Sequence, residues 1–156
     1  MSKAIPDGYH TVTASLTVKD GAEAIEFYQK AFGAVEKGRF EGPDGKLMHA
    51  EIQIGNAMVM LNDEVMGMHS PRSMQGSPVA FYLYFPDADA IFKQAIAAGA
   101  KQLMPMTEMF WGDRMGNLED PFGYHWNVAI RVKEMTPDEI KKAGDQFMKQ
   151  QMAGAK

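Results

Sequence analysis

Residues 14–34, ASLTVKDGAEAIEFYQKAFGA, return in altered form at residues 81–100, FYLYFPDADAIFKQAIAAGA. Leu16 matches Leu83 and Asp20 matches Asp87; after a one-residue gap, Ala24-Ile25, Ala31 and Gly33-Ala34 match Ala90-Ile91, Ala97 and Gly99-Ala100. Each copy reads as a strand, a short turn, a helix and a glycine stop. Two copies about 66 residues apart are too few and too long for a solenoid, so the repeat predicts one domain, residues 1–156, built as two similar halves. A functional site is expected where the halves meet.

Outward from the first copy, strands are predicted over 35–41, 47–54 and 57–62, separated by Gly42-Pro43-Asp44-Gly45 and by Gly55-Asn56, which accept turn dihedrals. The first half, about residues 9–62, is thus β-α-β-β-β. Residues 63–78, DEVMGMHSPRSMQGSP, show no period and read as a connector. The second half, about 79–132, repeats the order: strand 79–85, helix 88–98, then strands near 101–110, 114–119 and 124–131, with Asp120-Pro121-Phe122-Gly123 as the turn before the last. A third helix is predicted over 136–151, where Thr136-Pro137-Asp138-Glu139 supplies a capping threonine, a proline at the first helical position and a glutamate at the third. Ile140, Ala143, Phe147 and Met148 give it an apolar face to lay on the domain or on a second subunit.

Composition narrows the function. A net charge of −4 with no basic stripe argues against nucleic acid and anionic membrane surfaces as partners. The N-terminus MSKAIPDGYH has no apolar leader region and no stretch reaches the ~18 apolar residues of a membrane span, so a cytoplasmic protein is expected. With no cysteine, disulfides, thiolate ligands and a cysteine nucleophile are excluded, and any metal must be held by His, Asp or Glu. The 14 methionines, Met58, Met60, Met104, Met106, Met109 and Met115 among them, serve either to fill irregular core gaps or to line an adaptable apolar cavity.

The duplicated βαβββ unit, AIEFYQKAFGA after the first strand, HAEIQIG followed by AMVML, FWGDRMG, and EDPFGYHWNVA together resemble the vicinal oxygen chelate superfamily, the family of glyoxalase I, bleomycin-resistance proteins and extradiol dioxygenases. The likeness spans about residues 9–132 and is similar in particular to the small branch of the phosphonate-operon accessory protein. Some members of that branch carry a demethylubiquinone methyltransferase label, for which this chain has no glycine-rich nucleotide loop. The resemblance implies an α+β fold: two βαβββ repeats forming a cupped mixed sheet, helices on the convex side, the ligand on the concave side, plus the C-terminal helix.

Strand alternation then sorts side chains by face. Ala14, Leu16, Val18, Ala50, Ile52, Ile54, Val59, Leu61, Phe81, Leu83, Phe85, Trp126, Val128 and Ile130 are expected to face the helices. Thr13, Ser15, Thr17, His49, Glu51, Gln53, Met58, Met60, Ala80, Tyr82, Tyr84, His125 and Asn127 are expected to line the cup. Glyoxalase-type members bind a divalent ion with two side chains from each half; the matching positions here are Thr13, Met60, Ala80 and Asn127, none a good ligand. No metal or other cofactor is therefore expected at the usual place, and a displaced site is open only at His49, Glu51 and His125. Glu51 in an apolar cup would have a raised pKa and serve as a base, with His49 beside it.

At the rim of the cup, Trp111 could stack on a planar ligand and Arg114 grip an anion, or Trp111 could pack in the core and Arg114 pair with Glu119 or Asp120. Tyr82 and Tyr84 carry hydroxyls into the pocket. Ser70 and Ser73 lack a histidine–acid arrangement, and His10 and His69 lack partners. Two functions follow from the resemblance. One is a homodimeric protein that binds a small, partly aromatic or anionic molecule through Met58, Met60, Tyr82, Tyr84, Trp111, Arg114, His125 and Asn127. The other is an isomerase, lyase or metal-dependent oxygenase using His49, Glu51 or His125. The fold hosts both, and leaves open whether the cup forms within one chain or by exchange between two.

Overall fold

The computed structural model describes residues 2–155. The first half runs β1 (Ala14–Val18), α1 (Gly21–Phe32), β2 (Val35–Glu41), β3 (Leu47–Ile54) and β4 (Ala57–Asp63). A one-turn helix, α2 (Pro71–Met74), interrupts the connector. The second half repeats the order with β5 (Ala80–Tyr84), α3 (Ala88–Ala98), β6 (Lys101–Glu108), β7 (Asp113–Glu119) and β8 (His125–Arg131), and α4 (Pro137–Gly154) closes the chain. The strands form two four-stranded sheets of the same topology, β1-β4-β3-β2 and β5-β8-β7-β6. In each, the pair made by the first and last strands of the half is parallel and the other two are antiparallel. The α+β fold of two βαβββ halves is thus the one the repeat predicts.

The matched residues of the repeat have matched jobs. Asp20 and Asp87 are the N-caps of α1 and α3, accepting from the backbone N–H of Glu23 and Ala90. Gly33 and Gly99 end those helices at φ 67° and 121°, a backbone that a Cβ would strain. Helix α4 carries the predicted capping box, with Glu139 N–H donating to the Thr136 hydroxyl and Thr136 N–H to the Glu139 carboxylate. It runs three residues beyond the expected end, and none of its residues is buried. It meets the body at Phe110, beside Gly144 and Phe147, the Phe147 ring centroid 5.4 Å from that of Phe110. No described helix is long and apolar enough to cross a membrane.

All fourteen side chains assigned to the helix face lie in or against one hydrophobic core. That core is common to both halves. Trp126 of β8 sits among Tyr28 and Phe32 of α1 and Phe81 of β5, with centroids 5.5, 5.0 and 4.7 Å away. Burial of each large apolar side chain stabilises the fold by roughly 1.5–3 kcal/mol, so the two halves cannot part without losing several such contributions. Polar ties reinforce the seam: the Tyr28 hydroxyl donates to Asp120 Oδ2 at 2.6 Å, and the Tyr124 hydroxyl donates to Thr17 O while accepting from Thr17 N.

This packing bears on a point that the resemblance leaves open. Helices α1 and α3 lie against each other between the sheets, so the helix-covered faces turn inward and the concave faces turn outward. A cup between the halves is not closed within a single chain. The connector also departs from a plain loop: Ser70 caps α2 and is fully buried, and Pro71 packs where a Cβ on Gly123 would fall, 2.8 Å away. Arg72 then reaches Glu119 and the carbonyls of Pro121 and Asp120. A single turn is too short to leave a periodic signature in the sequence.

Candidate functional site

The concave face of the second sheet is organised around one carboxylate. Asp113 opens β7 and is only 1% exposed. It accepts from Arg131 Nε at 2.5 Å, the Tyr84 hydroxyl at 2.8 Å, Trp111 Nε1 at 3.1 Å and the Tyr82 hydroxyl at 3.4 Å. Burial works to raise its pKa, but the hydrogen bonds from Arg131, Tyr84 and Trp111 outweigh that and hold the group below its ordinary value. Tyr82 and Tyr84 lie side by side, centroids 5.3 Å apart, and remain 41% and 55% exposed. The Tyr82 hydroxyl also meets Met115 Sδ at 2.9 Å. The result is a fixed aromatic platform with a guanidinium at its edge. Of Arg131's terminal nitrogens, Nη1 lies 3.6 Å from exposed Glu134.

Arg114, the expected anion anchor, is on the other side of the sheet. Along β7, Gly116 faces the helix, since a Cβ there would overlap the Phe92 ring of α3, and Arg114 shares that phase. Its Nε and Nη2 donate to Asp89 of α3 at 3.0 and 2.7 Å. The partner is therefore neither Glu119 nor Asp120, and the cation on the concave face is Arg131. Of the other expected ligand residues, Trp111 serves the Asp113 hub, and Asn127 faces the same side with its amide oxygen accepting Asn117 Nδ2 at 2.8 Å. His125 lies at the edge, 3.9 Å from Glu119 Oε2. With Glu119, Arg72 and Gln75 it lines a cleft of about 360 Å³.

The first sheet presents a separate concave face. His49, Glu51, Met58 and Met60 lie on it, with Glu51 opposite Met60 in the β3–β4 pairing. Here the N-terminal segment folds back, and Ala4, Ile5, Pro6, Tyr9, His10 and Thr11 with Thr13, Glu51 and Met60 line an open hollow of about 540 Å³. Glu51 Oε1 is 3.5 Å from His49 Nε2. The Tyr9 hydroxyl is tucked against Glu51; burial and the adjacent carboxylate push its pKa up to about 12. Glu51 is held below its ordinary value by the Tyr9 hydroxyl, against the effect of burial and with help from His49. The expectation of a raised Glu51 is thereby corrected: its surroundings are polar, not purely apolar.

The four positions that hold a divalent ion in glyoxalase-type proteins do not fit one here. Thr13 and Met60 line the first face, Ala80 and Asn127 the second, and together they offer a hydroxyl, a thioether, a methyl and an amide whose oxygen is engaged. Nor do His49, Glu51 and His125 converge in one chain; among the described residues no three of His, Asp and Glu are grouped to hold a metal.

Comparison with known proteins agrees with the fold. The family model described as Glyoxalase/Bleomycin resistance protein/Dioxygenase superfamily matches residues 9–128. An uncharacterized protein of Mycobacterium bovis is 47% identical over 133 residues, covering 82% of this chain and 88% of the relative. The X-ray structure of an Arabidopsis thaliana gene product superposes with a TM-score of 0.63 at 26% identity, over 79% of this chain and 98% of that one. The PhnB protein of Bacillus cereus superposes with a TM-score of 0.58 at 17% identity, over 78% and 99%, a likeness of fold alone.

Proposed function

The chain belongs to the glyoxalase/bleomycin resistance protein/dioxygenase superfamily, and from that premise we propose that it is a binding protein for a small, planar, anionic molecule. The observation that carries this reading is the convergence of Tyr82, Tyr84, Trp111 and Arg131 on the buried carboxylate of Asp113. The hub uses the phenolic protons and Arg131 Nε, leaving the ring faces open and, at the far edge of the guanidinium, only the exposed Glu134 carboxylate for a ligand anion to displace. An aromatic ring can stack on the tyrosines while its carboxylate or phosphate meets Arg131. Because the platform is held before the ligand arrives, little side-chain entropy is lost on binding.

An open platform leaves one side of a flat ligand in water. We infer that the second wall comes from another copy of the chain: in a homodimer, the first-sheet face of one molecule covers the second-sheet face of the other, and Met58 and Met60 give that wall an adaptable apolar surface. The usual metal has no part in this reading.

Calorimetric titration with 1-naphthoate after exhaustive chelation tests it, with sedimentation to count chains. The expected outcome is saturable binding to a dimer, weakened at least about tenfold by Arg131→Met, one charge-assisted hydrogen bond being worth that much. Equal affinity for neutral 1-naphthalenemethanol, or no effect of Arg131→Met, would overturn it. A second reading, an enzyme using Glu51 as a base, rests on its place beside His49, Oε1 to Nε2 3.5 Å; turnover lost on Glu51→Gln would be its mark.

A further inference from the structure

Helix α4 follows the last strand of the duplicated fold and rides on its surface. None of its residues is buried, Phe147, Met148 and Met152 stand exposed, and among the described residues the hydrogen bonds and ion pairs of its side chains stay within the helix and its cap. Near its middle is a glycine, Gly144, which costs helix stability relative to alanine and here serves a close approach. The neighbour is Phe110: a Cβ on Gly144 would lie 3.1 Å from its ring. Nearly one turn on, Phe147 lies beside the same ring, centroids 5.4 Å apart.

Phe110 is also the residue before Trp111, and the two rings meet edge to face with centroids 4.9 Å apart. Trp111 Nε1 in turn donates to Asp113 Oδ2 at 3.1 Å. Both aromatic residues sit on the tight turn between β6 and β7, which is closed by Met109 N–H donating to Asp113 O and Gly112 N–H to Met109 O. The chain leaving β8 for α4 is fastened to that turn, with the N–H groups of Val132 and Lys133 donating to Gly112 O at 2.9 and 3.0 Å. Gly112 turns at φ 95°, and a Cβ there would overlap Lys133 O. The backbone bonds place the turn; the stack Phe147–Phe110–Trp111 connects α4 to the indole.

We propose that Phe110 and Phe147 are positioning residues for the platform: docking of α4 on Phe110 holds the Trp111 indole against Asp113, and release of α4 frees the indole and loosens the platform. A helix with so little buried lies at the low-stability end of a fold and opens locally while the core stays intact. A ligand that needs Trp111 in place favours the docked helix, and the docked helix favours that ligand by the same factor. The inference rests on the reading of this face as a ligand surface, but the link from helix to indole is measured without ligand, so the two fail separately.

The chain has two tryptophans, each with its indole N–H on a buried aspartate: Trp111 on Asp113 and Trp126 on Asp120 in the core. The test is the solvent-exchange rate of the two indole N–H signals in proton–nitrogen NMR of the full chain, assigned with Trp111→Phe. In Phe147→Ala the Trp111 signal should exchange about fivefold faster or more than in the parent, since local opening sets the rate. Trp126 exchange and the melting temperature should stay near those of the parent. Phe147→Leu, which keeps an apolar side chain against Phe110, should recover most of the protection. Affinity for 1-naphthoate should fall several-fold in Phe147→Ala and return in Phe147→Leu. Equal Trp111 exchange in the parent and Phe147→Ala, or equal acceleration of both indoles, would overturn the proposal, and unchanged naphthoate affinity despite faster Trp111 exchange would overturn the coupling to ligand. Faster Trp111 exchange in a chain whose parent binds no naphthoate would support the link from helix to indole and refute only the platform reading.

Discussion

The hydroxyl of Tyr28 donates to Oδ2 of Asp120 at 2.6 Å, joining the helix of the first half to the last turn of the second. Asp120 is almost fully buried, and among the described residues no cation pairs with its carboxylate, which also accepts from Trp126 Nε1 and from the backbone N–H groups of Phe122 and Tyr124. Four donors take the place of water around this carboxylate, which is how a charge-bearing group is kept inside a protein. Tyr28→Phe removes one donor without changing shape, so it is expected to lower unfolding free energy by about 1–3 kcal/mol, read from urea denaturation midpoints.

Burial pushes the Asp120 pKa above its ordinary value, the four donors only partly opposing it. The folded state therefore holds a proton in the window between the unfolded and folded pKa values, where the unfolded chain has released it. Stability contributed by this group falls as pH rises through that window. In stability profiles measured from acid to neutral, the parent minus Asp120→Asn difference should decline with rising pH; a flat difference would refute the assignment.

Asp113 behaves in the opposite sense. Its folded pKa is lowered, burial being outweighed by Arg131, Tyr84 and Trp111, so its contribution is present above the unfolded pKa and is lost as pH falls through the folded value. Arg131→Met removes the counter-charge and should move this loss to higher pH. Carbon-13 chemical shifts of the Asp113 carboxyl give the titration directly.

Gly116 is the close approach between β7 and α3. A Cβ there would run into the Phe92 ring, which belongs to the core. Gly116→Ala should cost about 1–3 kcal/mol through overpacking, whereas an alanine at Gly38, where a Cβ meets nothing within 4 Å, should cost far less. Equal melting temperatures for the two variants would contradict the facing assigned to β7.

That facing also explains where sequence reading succeeded and where it failed. The aliphatic phases of β1, β3, β4, β5 and β8 are long enough that their parity is unambiguous, and all their inward residues reach the core. In β7 the run DRMGNLE mixes polar and apolar residues on both faces; starting the strand at Arg114 and not Asp113 hid the carboxylate that organises the platform. Carrying the parity of His125 and Asn127 along β8 to its end would have reached Arg131. Tyr9 gave no signal, because it precedes the first strand and meets Glu51 only through a fold-back. The outward turn of the concave faces is likewise absent from strand periodicity, since it depends on how α1 and α3 pack together.

The central claim, that the Asp113 platform receives a planar anion, is tested most directly by methyl-labelled methionine NMR during titration with 1-naphthoate. Met115 lies under Tyr82, its sulfur 2.9 Å from the hydroxyl, while Met58 and Met60 belong to the first sheet. Binding on the platform should shift the Met115 methyl in a saturable manner, and Arg131→Met should suppress the shift. A Met115 resonance that stays fixed while naphthoate binds elsewhere, or that moves equally without Arg131, would contradict the account.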